Sequence, residues 1–366
     1  MSRLIPVFLA TEDDCFFTQV AVRSILEHGS RDSIFQFHIL VPEDFPENLE
    51  CTLENGMAPF DNVRLAVTRI GAFKDAWQKM DRVRNSTYYR LLIAELFPQY
   101  DRVIYLDSDL AVQGALTELY AFDLGEDFVA GTPAPWYILE SDREEYARNL
   151  DIPNMEKYIN AGVLLLNTKK IREHNLSSAM VELTTRKFNS QDQDIINKVL
   201  FDGIRHLPFR FNVMTKYASW PEARFQGLFS DEEMREAWAS PLIIHYADKI
   251  KPWDDPLSPY ARIWWREAAK CDNFDEILLW AELRRKKQLA SSLPSLPPSQ
   301  GKGDATRIEW RLFQLPLLRK HIKKGGSRIT YYLFHILPLW KIKRGELTNR
   351  HYLFHILPIL KTRMAN

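Results

Sequence analysis

The chain has 366 residues but only three cysteines, Cys15, Cys51 and Cys271, which are scattered and form no CxxC pair. Their scarcity excludes a disulfide framework and a cysteine zinc cluster, and it fits a reducing cytosol. No stretch reaches the roughly 18 apolar residues of a membrane span. Arg3 is followed by only a brief apolar run, so no secretory leader is expected. Net charge is missing as well, with 48 Lys+Arg against 48 Asp+Glu. That balance hides a division, because residues 302–366 carry 14 basic and 3 acidic side chains and leave 34 against 45 for residues 1–301. The body is acidic and the tail is basic, which calls for an anionic partner for the tail. With 46% apolar and 26% charged residues, the chain can build one large or two modest domains with a full core.

Pro, Ser and Gly concentrate between Ala290 and Gly301, which reads as a linker at 290–305 between a body at 1–289 and a tail at 306–366. The tail repeats itself. The octet at Tyr332–Leu339 recurs at Tyr352–Ile359, a period of 20 residues, and Leu312–Leu318 is a degraded copy. Each copy holds a central Pro in an apolar patch flanked by Lys and Arg. This pattern suits the surface of an anionic membrane, with Tyr and Trp340 at headgroup level. Helices packed on the body are the alternative. Nucleic acid is not expected, because the aromatics sit in apolar clusters rather than alternating with Arg.

In the body, Leu4–Ala10, Phe35–Val41 and Val63–Val67 have the composition of buried strands, and Thr18–Leu26 has helical spacing with Gly29 as its stop. The alternation predicts an α/β fold with a mainly parallel sheet. Thr11, Glu12 and Asp13 at the end of the first strand can receive a uracil N–H or ribose hydroxyls, besides capping the helix. The run Arg102–Leu106 is followed by Asp107-Ser108-Asp109, and alternation puts both carboxylates on one side at a strand's carboxyl end. Two hard oxygen ligands there suit Mn²⁺ or Mg²⁺ carrying phosphate oxygens, although Asp and Ser also favour plain turns. A second segment, His245–Trp253, follows the strand-like Pro241–Ile244. His245 can complete the metal ligands, Lys251 can neutralise phosphate, and Trp253 can wall the pocket.

Six segments in order carry a family resemblance: Ala10-Thr11-Glu12-Asp13, Ser86–Leu91, Tyr105–Asp109, Tyr158–Val163, Gln191–Asp194 with Asn197, and His245–Trp253. The chain resembles glycosyltransferase family 8 over about residues 4–265. These are retaining nucleotide-sugar transferases of GT-A fold, including bacterial lipopolysaccharide glucosyl- and galactosyltransferases and glycogenins. The resemblance implies a GT-A-type domain with a mixed, mainly parallel sheet, and Mn²⁺ held on a diphosphate by Asp107, Asp109 and His245. It further implies donor contacts from Ala10, Thr11, Asp13, Arg90, Asp107, Ser108, Asn160, Ala161, Asp192, Gln193, His245, Asp248 and Lys251. Three positions depart from the family pattern: Thr11 replaces the usual Asp, Asp248 the usual Gly, and Asp13 the Asn of many bacterial members.

Retention requires a covalent glycosyl-enzyme or attack on the face that the diphosphate leaves. The amide of Gln193 is a poor nucleophile, which favours front-face attack, with Asp192 as the reserve nucleophile. The expected reaction moves glucose or galactose from a UDP-hexose to a saccharide or glycolipid such as lipopolysaccharide, in a cytoplasmic protein peripheral to the inner face of the membrane. Two other readings stay open: a haloacid-dehalogenase-like phosphoryl-transfer enzyme built on Asp107 and Asp109, and a catalytically silent membrane scaffold. For Trp264 and Trp265, stacking on an acceptor sugar competes with core packing of a helix.

Overall fold

The computed structural model describes residues 3–12, 15–30, 32–50, 53, 60–73, 75–77, 85–292, 305–312, 315–323, 328–333, 337–344, 348–353 and 357–363, with backbone alone from residue 289 on. The chain divides into two compact units, Met1–Ala290 and Ser291–Asn366.

The first unit opens with β1 (Arg3–Ala10), which is buried from Ile5 to Leu9, as a strand covered on both faces must be. The helix Cys15–His28 crosses over and buries Val20, Ala21, Val22 and Ile25. It stops before Gly29, where a Cβ would lie 2.6 Å from the Phe35 ring. β2 (Ser33–Pro42) then pairs parallel with β1, and β3 (Val63–Ile70) parallel with β2. The remaining strands of the main sheet are β4 (Val103–Leu106), β6 (Val129–Pro133), β7 (Ile159–Leu166) and β8 (Ile204–His206), in the order β3-β2-β1-β4-β7-β6-β8. β7 runs antiparallel to both β4 and β6, whereas β1–β4 and β6–β8 are parallel. The sheet is therefore mixed and mainly parallel, as the alternation of elements predicts. Its two faces feed separate cores: Phe8, Tyr105 and Leu164 on one side, Val7, Ile104 and Leu165 on the other.

A three-stranded sheet decides where the site forms. β5 (Leu110–Val112) pairs antiparallel with β10 (Ile243–His245), and β9 (Val213–Met214) runs parallel to β10. The register sets His245 opposite Leu110, next to Asp109. Behind it lies an aromatic cluster in which Trp253 stacks on Phe17 at 5.3 Å and tilts against Trp264 at 5.1 Å. Trp253 is thus core and not a pocket wall, because the helices Ala261–Ala268 and Phe274–Ser292 bring Trp264 and Trp280 against it. Trp264 is wholly buried, which settles packing over sugar stacking for that ring.

The second unit is a meander of six antiparallel strands: β11 (Ala305–Leu312), β12 (Leu315–Lys323), β13 (Arg328–Leu333), β14 (Leu337–Arg344), β15 (Thr348–Leu353) and β16 (Leu357–Arg363). Strand pairing replaces the alternative of helices. Each repeat forms one hairpin, with Pro316 opposite Arg311, Pro338 opposite Tyr332 and Pro358 opposite Tyr352. A register shift follows each of these prolines, so the residue without an N–H sits where the ladder is interrupted. Most of the 290–305 linker segment, residues 293–304, lies outside the described residues. Among the described residues, no helix is long and apolar enough to cross a membrane.

Candidate functional site

Asp107-Ser108-Asp109 forms the bend between β4 and β5. Ser108 fixes it by donating from Oγ to the Ala10 carbonyl at 2.6 Å, which ties the bend to the end of β1. Asp107, Asp109 and His245 each offer a ligand atom, and these atoms all lie within 4.8 Å of one another. His245 Nε2 stands 3.6 Å from Asp107 Oδ2 and 3.2 Å from Asp109 Oδ1.

The tautomer of His245 follows from a hydrogen-bond chain anchored on backbone. Gly162 N donates to Asn160 Oδ1 at 3.0 Å, so that oxygen is fixed as an acceptor. Asn212 Nδ2 donates to the same oxygen at 2.9 Å, which turns Asn212 Oδ1 toward His245 Nδ1 at 2.9 Å. His245 therefore donates from Nδ1 and turns Nε2 toward two carboxylates. A neutral imidazole of this tautomer offers its Nε2 lone pair beside the two carboxylates, a ligand set that a divalent cation satisfies. Gly162 also leaves the necessary room, since a Cβ there would lie 2.2 Å from His245 Cε1 and 2.6 Å from Asp107 Oδ2. One imidazole and two carboxylates fit Mn²⁺ or Mg²⁺ with positions left for phosphate.

Protein cations hold the two carboxylates. Lys251 Nζ contacts Asp109 Oδ2 at 2.5 Å and donates to the Tyr246 carbonyl at 2.7 Å. Burial opposes ionisation of Asp109, but the Lys251 ammonium outweighs it and keeps the carboxyl well below its ordinary range. Arg90, on the 3₁₀ segment Asn85–Leu92, is buried and bridges Asp107 Oδ1 at 2.8 Å and Asp192 Oδ2 at 3.1 Å. It also donates to the Thr87 and Ala161 carbonyls and lies over the Tyr105 ring.

Asp192 and Gln193 occupy the first turn of the helix Gln191–Val199. Gln191, immediately before the pair, has φ +46°, a left-handed conformation costly for a residue with a Cβ. Burial pushes the Asp192 carboxyl up to about 6, with Arg90 opposing and Asp107 adding to the rise. Gln193 Oε1 accepts from Asn160 Nδ2 at 3.0 Å and from Ala161 N at 3.2 Å, and its Nε2 donates to Tyr158 Oη. Tyr158 donates in turn to the buried Asp194. Asn197 grips both backbone polar groups of Ile159, which locks this helix to β7.

The first motif is less tightly gathered. Thr11 is buried and its N–H donates to the Leu40 carbonyl, while Asp13 lies outside the described residues. Asp248 is in the turn after β10, with Oδ1 accepting from Lys249 N. A pocket of about 610 Å³ opens beside the ends of β1, β2 and β3, lined by Glu12, Glu43, Asp44, Gly71, Asn85 and Tyr89 among others. Sequence reasoning missed Asn212. Its only signal is that it stands as a lone amide between Phe211 and Val213.

Fold and site together define an α/β protein with a cation-ready carboxylate pair and imidazole at the carboxyl edge of a mainly parallel sheet. The chain belongs to glycosyl transferase family 8, whose family model matches residues 6–256. It is 27% identical over 252 residues to the glycosyltransferase GlyE of Streptococcus pneumoniae, covering 68% of this chain and 56% of that one. It is also 25% identical to a lipopolysaccharide 1,2-glucosyltransferase of Escherichia coli, over 70% of this chain and 73% of that one. The chain thus spans little more than half the length of GlyE. Among solved structures, the galactosyltransferase LgtC, in complex with donor and acceptor sugar analogs, matches with a TM-score of 0.61 and 26% identity, over 73% of this chain and 96% of that one. The bifunctional glycosyltransferase WbbM has the same fold, with a TM-score of 0.65, 23% identity and coverage of 78% and 52%.

Proposed function

We propose that the first unit is a retaining hexosyltransferase, moving glucose or galactose from a UDP-sugar to a saccharide acceptor. The observation that carries this reading is the convergence of Asp107, Asp109 and His245 Nε2, with the imidazole tautomer set by Asn212. A bound Mn²⁺ or Mg²⁺ would be held by these three residues and would stabilise negative charge on the departing diphosphate. Membership of family 8, and relatives named as lipopolysaccharide glucosyl- and galactosyltransferases, support a hexose donor and a glycan acceptor.

The chain's own residues supply the rest. Lys251 and Arg90 add fixed positive charge around the diphosphate position. The pocket beside Tyr89 and Asn85, at the carboxyl ends of the parallel strands, is where a nucleoside belongs. Ala10, Thr11, Asp13 and Ser108 are further donor contacts of this reading, and Ser108 is tied to Ala10 by its hydroxyl. Gln193 meets the sugar with an amide oxygen already occupied by two donors, which suits electrostatic stabilisation of an oxocarbenium-like centre and not covalent attack. The acceptor hydroxyl then approaches on the face that the diphosphate leaves and passes its proton to the departing phosphate. Asn160 and Ala161 orient Gln193, and Asp192 stays paired with Arg90.

The domain assignment forms part of this reading: catalysis in 1–289, a linker at 290–305 and a basic tail at 306–366 that attaches to the inner surface of an anionic membrane. A lipid-linked saccharide acceptor follows from that placement. The test is UDP release from a panel of UDP-sugars by the full chain with Mn²⁺. Wild type should release UDP, a chelator should stop it, and Asp109→Asn should abolish it without lowering the melting temperature. Full Mn²⁺-dependent turnover in Asp109→Asn would sink the assignment.

A further inference from the structure

The groups beside the cation site include several that this mechanism leaves unused. Trp136, in the short helix Pro135–Leu139, is 51% exposed, and its ring lies 6.1 Å from that of Trp220. Trp220 packs edge-on against Tyr217 at 4.6 Å, and Tyr217 Oη accepts a hydrogen bond from Trp136 N at 3.1 Å. Segments 84 residues apart are thereby clamped into one aromatic ledge. Ala247, in the turn between His245 and Lys251, packs against the cluster that contains Tyr217, which joins the ledge to the cation site.

Two cations border this ledge. Arg224 lies 3.6 Å over the Trp220 ring and is neutralised by an ion pair with Glu140. Lys216 differs. Its ammonium lies 4.9 Å from the Tyr217 ring centroid and, among the described residues, has no hydrogen bond or ion pair. Burial pushes it down to about 8, with Asp248 opposing and Lys251 adding to the fall, so it still carries charge at neutral pH. A half-buried ammonium with no hydrogen bond or ion pair has lost hydration, and only the attraction of Asp248 and the Tyr217 ring face offsets that loss. Lys251 already serves the cation site through Asp109. Lys216 is tied instead to the ledge, and aromatic faces suit the apolar faces of sugar rings.

We propose that Lys216 determines acceptor specificity: the acceptor saccharide carries an anionic substituent, phosphate or carboxylate, which Lys216 receives while the sugar ring lies on the ledge of Trp136 and Trp220. This rests on the hexosyltransferase reading, and its failure is separable from failure of that reading. The full-length protein, with Mn²⁺ and the donor that supports UDP release, is offered a neutral hexoside and its phosphate and uronic-acid counterparts. Wild type should favour an anionic acceptor in kcat/KM by about ten- to a hundred-fold, the scale of a hydrogen bond to a charged group. The phosphate and uronic-acid arms show which anion is read. Lys216→Met should bring the ratio near one, and Lys216→Arg should keep it.

A wild-type ratio near one would overturn the proposal. So would equal losses in Lys216→Met with both acceptors and in acceptor-free UDP release, which would place Lys216 on the donor diphosphate. Absence of UDP release from every donor in the wild type would instead overturn the hexosyltransferase reading itself.

Discussion

At the scale of single residues, Asn212 governs the site although it touches none of the carboxylates. It is fully buried between Asn160 and His245, and its amide orientation passes the constraint from the Gly162 N–H to the imidazole. Asn212→Ala removes the acceptor for His245 Nδ1 and lets the ring choose the tautomer that points a proton at Asp109. Half-saturation by Mn²⁺ in UDP release should then rise by about ten- to a hundred-fold, with turnover largely recovered at saturating metal. An unchanged Mn²⁺ titration would show that the tautomer is held by something else. The departures from the family pattern also belong to this scale. Asp248 adds a carboxylate where the family keeps Gly, and Lys216 is the nearby cation whose charge it favours.

At the scale of elements, β7 and β10 must pass very close to each other at the site, and Gly162 is the residue that allows it. Gly162→Ala would drive a methyl group into His245 and Asp107. It should cost about 1–3 kcal/mol in chemical denaturation, the usual range for overpacking, and it should abolish Mn²⁺-dependent UDP release. Normal turnover would show that β7 can shift without losing the site. β2 carries another element-scale device. His38 is stacked on Phe8 at 4.6 Å and bonded through Nε2 to Tyr100 Oη at 3.0 Å, inside the sheet's covered face. Burial lowers its pKa from 6.5 to about 4. Between these values the unfolded chain binds a proton that the fold refuses, so stability falls as pH drops from about 6.5 to about 4. His38→Phe should flatten that limb in denaturation midpoints measured across the window. An unaltered slope would assign acid sensitivity elsewhere.

At the scale of the whole molecule, an acidic body and a basic, repeat-built tail are joined in one chain with no net charge. If the tail meets anionic lipid, the full chain should sediment with anionic vesicles at low salt, less at high salt, and little with neutral vesicles. Truncation near Ser299 should abolish sedimentation while keeping UDP release, because it removes every repeat and none of the six motifs. A lowered melting temperature on truncation, with no lipid dependence in the full chain, would mean that the tail serves the body's stability instead.

The sequence by itself determined the first strands and helix of the sheet, the carboxylate pair, the candidate partner histidine and the family, because strand composition, helix stops and short motifs are local properties. It also exposed the tail's repeat, though not its state: a Pro in an apolar patch fits a helix end or a strand interruption equally, and only cross-strand register shows it seated at a bulge. Trp253 was misplaced for the same reason, since nothing within His245–Trp253 announces that Phe17 and Trp264 will enclose it. Tertiary structure alone decided the tautomer of His245, the bridging of Asp107 and Asp192 by Arg90, and the gathering of Trp136, Lys216 and Trp220 beside the site. Each depends on residues tens of positions apart meeting across strand registers, and no local spacing encodes such a meeting.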